Sequence, residues 1–266
     1  MLTTSHQSLK QLIIISTVAA LCLGVIVQLQ LPFLKKLVNK SQTVSVADIN
    51  KELEAEKNRL NVLQKLPSFG FRNIIADYTF INFAPYFGDD EARAKTGYAL
   101  SPEYFEVIVD RDPYFLDAYR FLSSSTTLYA GMPERTVALM EKGLKSLSPQ
   151  VPKNSYYIWR YKGTDELLFL GDTQAAKQSF ETAGKWADTY SDKDSKYIAQ
   201  LSYQTAQFLA KNPNSKSAQV GAWSIILGNA SDNRLRNIAI SRIRALGGKV
   251  TITPDGQLKV QPPQKD

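Results

Sequence analysis

One cysteine and one histidine occur in 266 residues. An intrachain disulfide, a cysteine-based zinc site and any catalytic or metal arrangement needing two histidines are therefore excluded. Glycine (14) and proline (12) are too sparse for a collagen-like or low-complexity chain. No Walker-type lysine and serine follow Gly247-Gly248, so there is no phosphate-cradling loop. The hydroxyl run Ser123-Ser124-Ser125-Thr126-Thr127 has no histidine or suitably placed lysine to activate it, and it reads as small residues that let helices pack closely. Asp89-Asp90-Glu91 and Asp165-Glu166 read as solvated acids in turns or on exposed faces. No catalytic residue, cofactor or metal site is assigned, and the protein is not expected to be an enzyme.

What is present is apolar material, 44% of residues against 21% charged, enough for one large domain or two small ones. The formal charge of +7 sits at the ends. Residues 1–66 carry 8 basic and 4 acidic side chains, residues 231–266 carry 7 and 3, and residues 67–230 carry 17 and 18. A nucleic-acid surface would need a basic stripe across the folded body, so the excess points to a membrane neighbour instead. Neither nucleic acid nor a small-molecule substrate is indicated.

Residues 12–31 contain no charge. As a helix they span about 30 Å, the thickness of a bilayer's hydrocarbon core, and they are apolar on every side. A tail over 1–11 precedes this predicted transmembrane helix. No small-x-small site closes the run, which argues against a cleaved signal peptide, and Leu21 stands where a lipoprotein cysteine at Cys22 would need a small residue. Lys10 and the terminal amine face Lys35, Lys36 and Lys40 across the span, which places the body on the cytoplasmic rather than the periplasmic or lumenal side.

Residues 32–66 read as a basic juxtamembrane linker and an amphipathic helix. Ser45 with Asp48 resembles a helix start, Val46, Ile49, Leu53, Leu60 and Leu63 recur at helical spacing, Glu56 interrupts the stripe and Pro67 ends it. Docking on the following helices fits this stripe better than a coiled-coil stalk, which would need cleaner heptads.

Beyond the linker, Gly171-x4-Ala176-x3-Phe180-x2-Ala183 follows a turn and puts small and aromatic residues on one helical face. The first helix of that pair would run from Tyr156 to Phe169. Forty residues before it, Tyr129-Ala130-Gly131 repeats Phe169-Leu170-Gly171, with Thr136, Met140 and Gly143 in place of the small, aromatic and small residues. Asp112-Pro113 and Asn212-Pro213 close further segments, and Ser148 to Lys153, with two prolines, is a loop. Four helix pairs are expected, opening near Asn73, Leu116, Ser155 and Ser195. This pattern resembles the tetratricopeptide (TPR) repeat. Phe69-Gly70-Phe71-Arg72-Asn73-Ile74-Ile75-Ala76-Asp77, continuing to Phe87-Gly88-Asp89, resembles the opening helix of bacterial, including cyanobacterial, membrane-anchored TPR-like proteins. The resemblance implies an all-α fold: a transmembrane helix followed by a TPR-like right-handed α-solenoid over 67–230. A capping helix over 231–248 carries Leu235, Ile238, Ala239, Ile243 and Leu246 on one stripe, and a C-terminal hairpin and tail occupy 249–266.

Of Tyr78, Phe80, Phe83, Tyr86 and Phe87, most are expected in the core, with one or two projecting. An aromatic–arginine pairing over Tyr119, Arg120, Tyr156, Tyr157, Trp159, Arg160 and Tyr161 opens two successive first helices, and of these Tyr119, Arg120, Tyr156, Trp159 and Arg160 are the candidate partner-binding groove for a peptide or a partner's helix. Lys35, Lys36, Lys40, Arg234, Arg236 and Arg244 are candidates for contact with a membrane or an anionic partner. The expected function is a membrane-anchored scaffold that binds protein partners and assembles or stabilises a membrane complex. The alternatives are a lipid or cell-envelope binding module that uses the basic ends, and a membrane-anchored enzyme subunit.

Overall fold

A computed structural model describes residues 14–32, 34, 46–213, 215–228, 230, 233–252 and 258–264. Among them the chain is mostly helical, with one two-stranded sheet. It divides into two units between Glu52 and Leu53. The first unit contains α1, Ile14–Pro32, the one described helix long and apolar enough to cross a bilayer, with every side chain exposed. Leu12 and Ile13 lie outside the described residues.

Helix α2, Val46–Lys65, enters the second unit at Leu53. Leu53, Leu60 and Leu63 pack into the core of that unit. Glu56, which breaks the apolar stripe, is satisfied there, because its carboxylate accepts hydrogen bonds from the Tyr104 hydroxyl and from Arg59. Arg111 closes the helix by donating to the carbonyls of Leu63, Gln64 and Leu66 at 2.6–2.8 Å, a cation set on the negative end of the helix dipole. The stripe is thus spent on docking, as its irregular heptads imply.

Helix α3, Arg72–Gly88, and the short α4, Asp90–Thr96, precede α5, Ser101–Arg111. The α3 ring of Phe83 meets Phe105 at 4.7 Å and Tyr104 at 5.6 Å, edge to face, which makes an aromatic centre for this end of the core. Phe83 and Tyr86 are buried, Phe80 and Phe87 half-buried, and Tyr78 projects outward.

The next two segments repeat a backbone plan. Helix α6, Leu116–Leu122, widens into a π-helical stretch, Ser123–Tyr129, before α7, Pro133–Leu144; helix α8, Tyr156–Asp165, widens over Glu166–Leu170 before α9, Thr173–Ala187. Side-chain hydroxyls help the first widening: Ser125 Oγ donates to the Phe121 carbonyl at 2.7 Å and Ser124 Oγ to that of Arg120 at 3.3 Å, competing with the ordinary backbone partner. Both stretches end at a left-handed glycine, Gly131 (φ +71°) and Gly171 (φ +66°), the conformation that stops a helix with least strain when no Cβ is present. Asp172 then caps α9 by accepting from the Ala175 N–H at 2.9 Å. At Gly143 a Cβ would stand 1.9 Å from Tyr119 Oη, so glycine there admits the tyrosine ring.

Helices α10, Lys193–Lys211, and α11, Lys216–Gly228, start close to the expected fourth pair. They do not repeat the hairpin packing: α10 lies chiefly on α9, while α11 packs on α12, Asn233–Ala245, and on the stretch 166–170. Trp223 is the reason, since its large ring meets Phe169 at 5.1 Å and fills a separate cluster with Ala239 and Ile243. Strands β1, Lys249–Ile252, and β2, Leu258–Gln261, pair antiparallel with Val250 opposite Val260, and those two valines close the cluster.

Candidate functional site

Successive first helices lie side by side, α6 on α8, and α8 is bonded to α10 through Arg160 Nη1, which donates to Ser202 Oγ at 2.6 Å. Because a helix turns 100° per residue, neighbours in an aromatic–arginine string face different ways. Tyr119 is buried, its hydroxyl donating to the Pro113 carbonyl at 2.9 Å. Tyr156 is buried as well, between Tyr157 and Tyr190, with its hydroxyl 3.2 Å from Ser195 Oγ. Trp159 packs edge to face on Trp186 at 5.8 Å. Tyr119 and Tyr156 are interior packing and offer a partner no surface, while Trp159 is half-buried and Arg120 and Arg160 remain in the candidate groove.

The remaining strip is the exposed Arg120 with the half-buried Tyr157, Arg160 and Tyr161. Tyr157 and Tyr161 are one turn apart with ring centroids at 6.4 Å. Burial pushes the Tyr161 hydroxyl up from its ordinary range, and the charges of Arg120 and Arg160 pull it the other way. Arg120 is exposed, its guanidinium 5.3 Å from the Phe121 ring; burial lowers Arg160, which sits 5.8 Å from the Phe180 ring. The i, i+4 spacing of Tyr157 and Tyr161 is the signal that marks this face.

The inner side of α8 holds charge that sequence reasoning set on the surface. Asp165 and Glu166 are buried, at 1% and 2% exposure. Lys162, also buried, pairs with Glu166, lies 3.2 Å from the more exposed Glu141, and donates to Ser179 Oγ at 3.3 Å; Ser179 Oγ in turn donates to Glu166 Oε2 at 2.6 Å. Asp165 Oδ1 accepts from Ser123 Oγ at 2.9 Å, and Oδ2 has no hydrogen-bond partner among the described residues. Burial pushes this carboxyl up to about 7, against the lowering effect of the Ser123 and Thr127 hydroxyls. The expected placement of Asp165-Glu166 in solvent is thereby overturned: a lysine one turn back and hydroxyls from two other helices make burial tolerable. No group of three or more histidine, cysteine or acidic side chains able to hold a metal ion occurs among the described residues.

Of the basic candidates, Arg236 and Arg244 are exposed, and Arg236 donates to Asn233 Oδ1 at 3.0 Å. Lys35, Lys36 and Lys40, and the side chain of Arg234, lie outside the described residues. Compared with protein-family models, curated proteins and solved structures, the chain matches none.

Proposed function

We propose that this protein is a single-pass membrane scaffold whose TPR-like, right-handed helical-repeat body binds an acidic segment of another membrane-associated protein. The observation that carries the reading is this strip: Arg120 and Arg160 stand forty residues apart at equivalent points of two helices that lie side by side, together with the Tyr157–Tyr161 ring pair of α8. A planar guanidinium beside an aromatic platform suits a carboxylate-bearing peptide, where the arginine bonds in bidentate fashion and the ring covers the chain. The apolar α1 supports the anchored part of the reading, and two consecutive helix pairs, each joined at a left-handed glycine, support the repeat part. Anchoring raises the local concentration of the strip near membrane partners, so modest contacts suffice. The excess of lysines after the span supports a body on the cytoplasmic side, which protease protection of the body in vesicles of known orientation would check.

The test is capture by the detergent-solubilised full-length chain, with Arg120→Glu and Arg120→Glu/Arg160→Glu alongside. Arg120 is exposed, so its reversal leaves the fold intact and is expected to remove the co-purifying chain. Unchanged capture by both variants would eliminate this strip.

A further inference from the structure

Between α2 and α3 the chain turns through Pro67-Ser68-Phe69-Gly70-Phe71, and this turn holds its aromatics outward. Phe69 is 85% exposed and Phe71 61%. Phe69 has φ +46°, a backbone region that a bulky side chain rarely adopts and that must be imposed by its surroundings. The surroundings are fixed: Arg111 holds the carbonyls of Leu63, Gln64 and Leu66 on one side of the turn, and on the other Arg72 Nη2 donates to the Asp110 carbonyl. A rigid base therefore presents two phenyl rings to water.

The apolar surface continues along α3. Ile74, Tyr78 and Ile81, spaced i, i+4, i+7, share one face and are all exposed. Lys65 and Arg72 flank the turn, and Arg59 donates to the Tyr78 hydroxyl at 3.2 Å. The exposed acid on this helix, Asp77, stands about 100° round from Tyr78, at the rim. Aromatic and aliphatic tips backed by cations are the pattern of a surface that enters the head-group region of an anionic bilayer. It is also larger than the scattered apolar side chains of an ordinary surface.

We infer that the turn at residues 67–71, with the Ile74–Tyr78–Ile81 face of α3, inserts into the head-group layer of the membrane that anchors the chain. The inference rests on the reading of α1 as a bilayer span. The flanking Lys65 and Arg72 and the tether of α1 favour that bilayer over other occupants, and covalent reach permits it. Residues 33–45 can extend at most about 45 Å, and α2, with 20 residues, is about 30 Å long. The far end of α2 is therefore within range of the surface from which the linker starts.

The test uses the full chain in phosphatidylcholine–phosphatidylglycerol vesicles, in a Cys22→Ser background, with an environment-sensitive fluorophore on Phe69→Cys, on Ile81→Cys, or on Gln174→Cys, an exposed site of α9. Blue-shifted emission at 69 and 81, quenched by nitroxide-labelled lipid and shielded from aqueous iodide, with the reverse behaviour at 174, is the expected result. Water-like emission at 69 and 81 in protein that still floats with the vesicles overturns the inference and leaves the anchor standing. Failure to float overturns both. Shielding in lipid-free detergent that grows with protein concentration assigns the patch to a second copy of the chain and overturns insertion. Either probe site suffices alone should the other variant misfold, because both side chains point away from the core.

Discussion

Residues 116–144 and 156–187 share one order of elements, yet their interiors differ in chemistry. Each has an arginine on its first helix, a widened π-helical end and a left-handed glycine, forty residues apart. Where the first buries Leu122 and Thr126, the second buries Lys162 and Glu166; where the first has Ser125, the second has Asp165; and Leu139 is replaced by Ser179. The shared order of elements is therefore set by turns and by the helix faces that must be small or aromatic, and interior polarity can vary where a buried charge finds a counterpart, as Glu166 does in Lys162, or is held protonated by burial, as Asp165 is at neutral pH and below.

Breaking the charged interior gives the largest effect. Lys162→Met leaves Glu166 buried without its cation and is expected to destabilise the protein by about 3–5 kcal/mol, read from denaturant unfolding of the detergent-solubilised chain. Rebuilding the second segment on the pattern of the first, Lys162→Leu with Glu166→Thr, should recover most of that loss. A double variant as unstable as the single one would mean that the charges also shape the fold.

Asp165 gives the next largest. Its folded pKa of about 7 lies above the ordinary carboxyl value of 3.8, so the folded state holds a proton that the unfolded chain has released between those values. Stability from this group is full below about pH 4, falls as pH rises toward 7 and is flat above it. Asp165→Asn should abolish this slope and stabilise the protein at pH 8, by on the order of 2–4 kcal/mol. A difference between variant and parent that does not change from pH 4 to 8 would refute it.

The smallest effect tests what the two segments share. Gly131→Ala and Gly171→Ala each force a Cβ into a left-handed backbone and are expected to cost about 1–2 kcal/mol. Beyond the adjacent residues, the added Cβ would meet nothing within 4 Å at either position, so the two losses should match. Unequal thermal shifts would show that the turns are less alike than their backbones.

Much of this organisation is legible in the sequence, for identifiable reasons. The first helices begin at Arg72, Leu116, Tyr156 and Lys193, within two residues of expectation, because glycine turns and Asp-Pro or Asn-Pro closures are local signals. The terminal hairpin is legible from alternation around Pro254-Asp255-Gly256. The orientation of the aromatic–arginine strings is not, since Tyr119 and Arg120 differ by a single 100° step and neither residue type declares which side is inward. Nor is the burial of Asp165 and Glu166, because Lys162 at i−4 from Glu166 is the spacing of an ordinary surface pair. Only contacts from Ser123 and Ser179, 42 and 13 residues distant, distinguish the two cases. The fourth pair fails for a similar reason: Trp223 selects Phe169, 54 positions before it in the chain, over its sequence neighbours.

The π-helical stretches also bear on how such a chain tolerates length change. Each accommodates a residue beyond what an α-helix of the same rise would hold, so removing one residue from 123–129 would let that stretch tighten to ordinary pitch. Every side chain downstream of the deletion would then keep its phase, whereas the same deletion within α7 or α9 would rotate the remainder of that helix by about 100°. Single-codon gaps in this protein should thus be survivable at residues 123–129 and 166–170 and ruinous a turn or two away, and these two short stretches mark where the chain has room to lengthen or shorten.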